Sequence, residues 1–210
     1  MDSINAPTTT ALTTELLDDL ADSRTADQAL QRIDLHRSLI ACGGIFSIQQ
    51  NVTTAHDAAG EILLRRFYSS EGGAFPVNGA KRKTLTQWTQ CLFVQGRVFV
   101  GEGEDVLART FDDFDQMRAH QLRSVVNVPM MHGNLCYATF NVFGTRVSWQ
   151  PEQILAIRLL ALTAARWVHP VAGLSYSFMN AGAAAAAQDE PMAAAQPNRE
   201  VETTRSLRIN

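Results

Sequence analysis

Apolar residues recur at helical spacing in two segments near the start of the chain. Leucines in residues 11–21 and aliphatic residues in residues 25–41 return every three or four positions, which is the spacing of one face of an α-helix. Gly43 and Gly44 follow the second segment, and glycine is typical of helix ends. The pattern predicts a helical hairpin that leads into a sheet.

Apolar and polar residues then alternate along residues 45–52, which predicts a half-buried strand. Residues 61–69 form a second strand candidate. Residues 70–83 are rich in glycine and contain a proline, so they predict a surface loop. Residues 106–122 predict one or two short helices.

Two apolar runs, residues 124–131 and 135–143, flank Gly133-Asn134. A Gly-Asn pair between strands predicts a hairpin with a two-residue turn. A turn centred there pairs residues whose numbers sum to 267, so Asn127 faces Phe140 and points away from the face that carries Asn141. Both faces of the hairpin are apolar, so it is expected in the middle of a sheet that is covered on both sides.

Residues 151–168 predict a last helix that is apolar on more than one side, so we expect it to be buried against the sheet, a partner subunit or both. Alanine and polar residues dominate beyond about residue 180. We therefore divide the chain into a flexible N-terminus (1–10), a folded domain (11–170) and an Ala-rich, disordered tail (171–210).

Composition narrows the functional classes. The chain has 210 residues, 46% of them hydrophobic, and a formal net charge of −3, which fits one globular domain. The 18 lysines and arginines against 21 acidic residues give no excess of positive charge to neutralise phosphates, so we expect no nucleic-acid partner. No apolar run reaches the length of a membrane span, so we expect no membrane association.

The cysteines and histidines do not form a recognisable site. Cys42, Cys91 and Cys136 are odd in number and far apart, which argues against a disulfide framework and favours a reducing cytoplasm. The start of the chain lacks the basic and apolar regions of a signal peptide. The histidines are scattered and no cofactor-binding motif occurs, so we expect neither a metal nor a cofactor.

Two stretches resemble the GAF domain family. The hairpin reads V-V-N-V-P at 125–129 and Y-A-T-F-N-V at 137–142, similar to the N-V-P, glycine turn and L-G-T-L-N of GAF domains, although Tyr137 and Ala138 stand where leucine and glycine are usual. R-R-F-Y-S-S at 65–70 and G-R-V-F-V-G-E-G at 96–103 resemble a group of small bacterial stand-alone GAF proteins.

The resemblance implies an α+β fold with a central antiparallel sheet of five or six strands. Terminal helices would cover one face of this sheet, and loops and short helices would cover the other. Ligands of GAF domains lie between the sheet and those connections, which here are residues 70–87, 88–103 and 104–121. A shared fold does not by itself name a function.

Three residues at the end of the second predicted strand are candidates for ligand binding. Arg66 is suited to an anionic group and Tyr68 to stacking on a planar one. Ser69 follows them at the entrance to the loop. The structural alternative is an arginine in solvent and a tyrosine packed at a strand edge.

Trp88, Glu102 and Asn127 are the other candidates. Trp88 follows the basic residues 81–83, which would attract an acidic ligand. Glu102 and Glu104 are two carboxylates suited to acid–base work or to a cation. Asn127 is polar on an apolar strand and needs a partner if it is buried. The structural alternatives are core packing for Trp88, a solvated loop for residues 81–83 and hydrogen bonds to neighbouring backbone for Asn127.

Cys91 is the one candidate catalytic residue. The free methionine-R-sulfoxide reductase is itself a stand-alone GAF domain, and Cys91 falls near the first of its motif cysteines. The second would fall around Arg118, where no cysteine stands, so a thiolate at Cys91 would lack the thiol that resolves it.

The leading hypothesis is therefore a non-enzymatic sensory or regulatory domain that binds a small organic ligand and acts through protein partners or as a homodimer. One alternative is a Cys91-dependent redox enzyme of the reductase type. The other is a structural interaction module whose pocket is filled by its own phenylalanine and tryptophan side chains.

Overall fold

The computed structural model describes residues 14–178, so the predictions for residues 1–10 and 179–210 lie outside the described part of the chain. The elements in chain order are α1 (Thr14–Ala21), α2 (Ala26–Ala41), β1 (Ile45–Asn51), β2 (Glu61–Ser69), β3 (Ala80–Thr84), α3 (Gln87–Thr89), β4 (Phe99–Glu102), α4 (Glu104–Thr110), α5 (Phe114–Ala119), β5 (Ser124–His132), β6 (Leu135–Gly144) and α6 (Pro151–Ala164). A π-helical turn over Gln90–Val94 continues α3.

The six strands form one sheet in the order β3-β2-β1-β6-β5-β4, and every neighbouring pair is antiparallel. The predicted α+β class and the antiparallel sheet of five or six strands are confirmed. The apolar hairpin of β5 and β6 lies inside the sheet, next to β1, because both of its faces have apolar side chains to bury.

β3 lies in the segment predicted to be a loop, and that part of the prediction is wrong. Its sequence, A-K-R-K-T, has no large apolar residue, so it lacks the alternation that marks a half-buried strand. It pairs with β2 on one side only. Charged residues are usual on such an edge strand because they discourage pairing with other chains.

The terminal helices α1, α2 and α6 cover one face of the sheet, which we call the helix face. Phe46, Ile48, Phe140 and Val142 point from the sheet into this core. The predicted stop of α2 at two glycines also holds: Gly44 has a φ of +79°, and a Cβ there would lie 2.0 Å from the carbonyl oxygen of Phe143. The close approach of the turn between α2 and β1 to the end of β6 therefore requires glycine.

The register of β5 and β6 changes once along the hairpin. Next to the turn, Met131 pairs with Cys136, as predicted. A bulge then leaves Tyr137 as an extra residue, so Asn127 pairs with Asn141 and not with Phe140. A one-residue slip moves every following side chain to the other face. The prediction that Asn127 and Asn141 point to opposite faces is therefore wrong.

A second bulge lies between β1 and β2. Gln49 pairs with Arg66, but Ile48 pairs with Tyr68, which leaves Phe67 as the extra residue. Arg66 and Tyr68 are two positions apart and would share a face in a regular strand. Because of the bulge, Tyr68 belongs to the core of the helix face, where its ring lies 5.2 Å from that of Phe46.

The chain stays packed against the domain beyond residue 170, where the predicted tail begins. The Tyr176 hydroxyl accepts a hydrogen bond from the Cys136 backbone N–H (2.8 Å) and donates one to the carbonyl of Phe93 (3.1 Å). Phe178 is buried beside them. Within residues 14–178, none of the helices is long and apolar enough to span a membrane.

Candidate functional site

The sheet face opposite the terminal helices carries a cavity of about 40 Å³. We call this side the pocket face. The apolar lining of the cavity is Ile45, Phe75, Trp88, Phe111, Met117, Leu122 and Phe143, and the polar lining is Ser47, Gln49, Arg66, Lys81, Lys83, Thr110, Asp113, Asn127 and Asn141. The cover consists of α3, the α4–α5 segment and the loop between β2 and β3, while Lys81 and Lys83 come from the edge strand β3.

A more open cleft of about 210 Å³ adjoins this cavity. Gln49, Arg66, Lys81 and Asp113 line both spaces, so the cavity and the cleft meet at these four residues. A water molecule needs about 10–15 Å³ of such space, and a drug-sized ligand usually occupies a site of about 300–1,000 Å³. Even together, the two spaces fall short of that range, so the site is smaller than one for a drug-sized ligand.

One row of polar residues crosses the pocket face near its centre. Asn141 pairs with Ser47 of β1 on one side and with Asn127 of β5 on the other. Asn127 Nδ2 donates to Asn141 Oδ1 over 2.7 Å, and Asn141 Nδ2 donates to the carbonyl of Thr139 over 3.2 Å. Both amides are almost fully buried, so these bonds offset the cost of removing them from water.

Trp88 is hydrogen-bonded to this row of polar residues. Its indole Nε1 donates a 2.9 Å hydrogen bond to Asn127 Oδ1, and its ring contacts Phe93 and Phe111 with centroid separations of 5.8 and 6.0 Å. The residues on either side hold the short helix in place: Thr86, before α3, and Thr89, its last residue, form a reciprocal capping box. The sheet therefore sets the orientation of the indole that walls the cavity.

Arg66 projects from β2 where the cavity meets the cleft, and only 8% of it is exposed. Its guanidinium lies over the ring of Phe75 at 5.4 Å, and Nη1 donates to the carbonyl of Pro76 over 3.3 Å. Nε is buried and has no hydrogen-bond partner within residues 14–178. Burial lowers the pKa of Arg66, and the charge of Asp113 partly opposes this effect.

The two lysines of the site are paired with carboxylates, in contrast to Arg66. Lys81 Nζ contacts Asp113 over 2.7 Å, and Lys83 Nζ contacts Asp112. The hydrogen bond from Lys83 is the main cause of the lowered pKa of Asp112. These two pairs tie the edge strand β3 to the α4–α5 segment, and they leave Arg66 as the cation without a carboxylate partner among the described residues that line the cavity.

The structure thus brings together three of the six predicted ligand-binding residues: Arg66, Trp88 and Asn127. Tyr68 lies on the helix face. Ser69 does not line the cavity, and its hydroxyl accepts a 3.3 Å bond from the backbone of Glu71. Glu102 is exposed, and Oε1 accepts a bond from the Trp149 backbone N–H over 2.7 Å, a contact that fixes the loop before α6.

Cys91 lies outside the cavity lining. Its thiol is half-buried and donates to the carbonyls of Arg97 and Val98 over 3.5 and 3.6 Å. Burial raises the pKa of this thiol, although the charge of Arg97 opposes the shift. A raised pKa disfavours the thiolate that a nucleophile requires. In the described part of the chain, no three His, Cys, Asp or Glu side chains cluster as metal ligands.

Sequence reasoning missed two groups of lining residues. Gln49 and Ser47 stand at alternate positions of β1 and were visible as the polar side of a predicted strand. Phe75 and Phe111 come from the cover, whose path over the sheet no local pattern predicts.

No protein-family model matches the sequence, and no curated protein matches it. Several solved structures, by contrast, are similar to this chain. The chromophore-binding domain of an unusual bacteriophytochrome from R. palustris is similar with a TM-score of 0.51 and 8% identity over 74% of this chain, which spans 59% of that domain.

Two further structures are matched over most of their own length. The GAF domain of a phosphoenolpyruvate-protein phosphotransferase from Coxiella burnetii has a TM-score of 0.54 and 11% identity, covering 84% of this chain and 95% of that one. The far-red absorbing dark state of JSC1_58120g3, with bound biliverdin, has a TM-score of 0.54 and 11% identity, with 74% and 96% covered. Identities this low are informative about the fold alone, and on that evidence this chain contains a GAF-like domain, as the resemblance of its sequence predicted.

Proposed function

We propose that this chain is a non-enzymatic sensory or regulatory domain that binds a small organic molecule between the pocket face of the sheet and its cover. The observation that carries the proposal is the combination of a walled cavity with a buried, incompletely bonded Arg66 at its entrance. A buried charge without a partner costs free energy. A ligand that supplies the partner explains why the residue is there.

The structural neighbours support a ligand-binding role but not a chromophore of their kind. One is a chromophore-binding domain and another holds biliverdin. Here Trp88, Phe111 and Phe143 occupy space above the sheet, and the cavity and cleft are smaller than the usual site for a drug-sized ligand. The residues present do not fit a tetrapyrrole, so the ligand we propose is smaller.

A second candidate is an interaction module that binds no small molecule. The small inner cavity, walled by Trp88, Phe75 and Phe111, favours it. Arg66 argues against it, because an apolar side chain would fill the same space without the cost of a buried charge. The third candidate, a redox enzyme, would rely on Cys91, which lies outside the cavity and has a raised pKa.

We further propose that the signal leaves through the terminal helices, in a homodimer. Leu155, Leu159 and Leu162 of α6 are 51%, 41% and 72% exposed, and their spacing places them on one stripe of the helix. Leu159 and Leu162 also line an open groove with Leu16 of α1. Contiguous exposed apolar surface is typical of interaction sites. Cys42, Cys91 and Cys136 are free thiols, which fits the cytoplasmic location we propose.

A thermal-shift screen with small metabolites tests ligand binding. A ligand at about 100 times its Kd should stabilise the protein by about 2.7 kcal/mol. Ser47 lines the cavity, so Ser47→Leu should fill it and abolish the shifts. Ser148→Leu is the control, since Ser148 is exposed. Shifts that persist unchanged in Ser47→Leu would show that the compounds bind elsewhere.

A further inference from the structure

We infer that the ligand is a small carboxylate with a planar apolar body, and that Arg66 binds its carboxyl group. This inference rests on the proposed function, because it names the chemical class that the same cavity would take. Three features of the structure lead to it: the free edge of the guanidinium, the charge balance of the site, and the aromatic wall.

The first feature is the way in which Arg66 is held. Phe75 covers one face of the guanidinium, and the Pro76 carbonyl takes Nη1. Nε has no partner and Nη2 makes no hydrogen bond to any residue of the described range. Nε and Nη2 form one edge of the guanidinium, and two parallel N–H donors on such an edge match the two oxygens of a carboxylate. The arginine is thus oriented, and its best edge for an anion is left open.

The second feature is the charge balance. The carboxylates of Asp113 and Asp112 neutralise Lys81 and Lys83. Arg66 therefore contributes the remaining positive charge of this group. One uncompensated positive charge in a buried place is balanced by a monoanion, whereas a phosphate monoester near pH 7 carries a charge of about −1.5 to −2. The balance favours a carboxylate over a phosphate group.

The third feature is what lies next to this charge. Trp88, Phe111 and Phe143 form an aromatic wall, with Phe111 edge-on to both of the others at 6.0 and 5.7 Å. Aromatic side chains favour stacked or edge-on contact with a planar apolar group. The inner cavity of about 40 Å³ is smaller than the roughly 150 Å³ of a cavity that binds benzene, so a body of one ring has to occupy part of the adjoining cleft of about 210 Å³ as well. Gln49, the partner of Arg66 across β1 and β2, lines both spaces.

The test uses benzoate as the probe and benzamide as its neutral counterpart of nearly the same shape. Affinities are measured from the NMR shifts of backbone amides that line the cavity. We expect wild-type protein to bind benzoate at least tenfold more tightly than benzamide. Arg66→Met should abolish this preference. Arg65→Met is the matched control, because Arg65 is the next residue on β2, is exposed and bonds to Gln50 on the other side of the sheet; it should keep the preference.

Thermal unfolding without ligand supplies a second readout. Arg66→Met removes a buried, incompletely bonded charge, so its melting temperature should equal or exceed that of the wild type. A clear fall would assign Arg66 a structural role and overturn the inference. Arg66→Lys keeps the charge and loses the two-donor edge, so it should bind benzoate several-fold more weakly while folding normally.

The outcomes separate the inference from the proposed function. Equal affinity of the wild type for benzoate and benzamide would leave a working pocket and overturn the assignment of a carboxylate. The carboxylate assignment also fails, and the pocket stands, if neither probe shifts the NMR signals of the cavity amides while other metabolites give thermal shifts that Ser47→Leu abolishes. If no compound binds in the cavity at all, both proposals fail.

Discussion

Asn127 and Asn141 lie directly opposite each other on β5 and β6, and the side chain of the first donates a 2.7 Å hydrogen bond to that of the second. Asn127 also accepts the indole N–H of Trp88. Two amides of the sheet therefore orient a residue of the cover. This row couples the central hairpin to the wall of the cavity, and it gives the pocket a defined shape before any ligand binds.

The first prediction concerns this row. Asn127→Leu leaves the Trp88 N–H and Asn141 Oδ1 without their partner, and each buried unsatisfied group costs about 1–3 kcal/mol. We expect the free energy of unfolding, measured in urea, to fall by an amount in that range or above it.

A double-mutant cycle provides the control. Asn127→Leu together with Asn141→Leu removes both amides, so it should cost less than the sum of the single changes, with a coupling of about 0.5–3 kcal/mol. Strict additivity would mean that the bond between the two amides contributes nothing to stability.

Part of the sheet was predictable: alternation marks β1, and apolar runs on either side of a Gly-Asn turn mark the hairpin of β5 and β6. β2 begins and ends at the predicted residues, and β1 ends one residue before its predicted end. β3 was not predictable, since an edge strand made of lysine, arginine and threonine looks like a loop. β4 was not predicted either: residues 88–103 were expected among the connections, and four residues (F-V-G-E) are too few to show a period of two.

The candidate site was less predictable, and two bulges explain why. One extra residue, Tyr137, brings Asn141 to the face of Asn127, and another, Phe67, takes Tyr68 away from the face of Arg66. A bulge places two residues of one strand opposite one residue of its partner. A sequence pattern of period two does not reveal them, so the residue types were visible but their faces were not.

The second prediction concerns thiol reactivity. Cys42 is exposed, Cys91 is half-buried with a raised pKa, and Cys136 is buried with its pKa raised to about 12. Because the thiolate is the reactive form, iodoacetamide at pH 7.5 should label Cys42 first, Cys91 more slowly and Cys136 last. Peptide mass spectrometry over time gives the order. Labelling of Cys91 ahead of Cys42 would reveal an activated thiol and revive the enzyme hypothesis.

The third prediction is a loss of stability at alkaline pH. Burial raises the pKa of Tyr68, Tyr176 and Cys136 to about 12 each, above the ordinary values of about 10 for tyrosine and 8.5 for cysteine. The unfolded chain therefore loses these protons first. The stability they contribute is complete below about pH 8.5 and is lost as the pH rises toward 12.

Urea unfolding at pH 7, 9 and 10.5 should show this decline. Tyr176→Phe removes one of the titrating groups together with its two hydrogen bonds. The variant should be less stable at pH 7 and should lose less with rising pH. A pH dependence identical to that of the wild type would show that Tyr176 does not titrate in this window.

The fourth prediction concerns the exposed stripe of α6. In sedimentation experiments we expect the wild type to form dimers at micromolar concentration. Leu159→Glu and Leu162→Glu should each shift the protein toward the monomer without unfolding it, since the two side chains are 41% and 72% exposed. Leu35→Glu, an exposed change on α2, is the comparison. A wild-type monomer at high micromolar concentration would rule out the proposed homodimer.

The most direct test of ligand binding is native mass spectrometry after incubation with the low-molecular-weight fraction of a cell extract. The account predicts a reproducible non-covalent adduct on the wild type and on Ser148→Leu, and none on Ser47→Leu, whose new side chain occupies the cavity. The mass of the adduct would then identify the ligand, which should be a small carboxylic acid. No adduct on any variant, or the same adduct on all three, would contradict the claim that this cavity is a binding site.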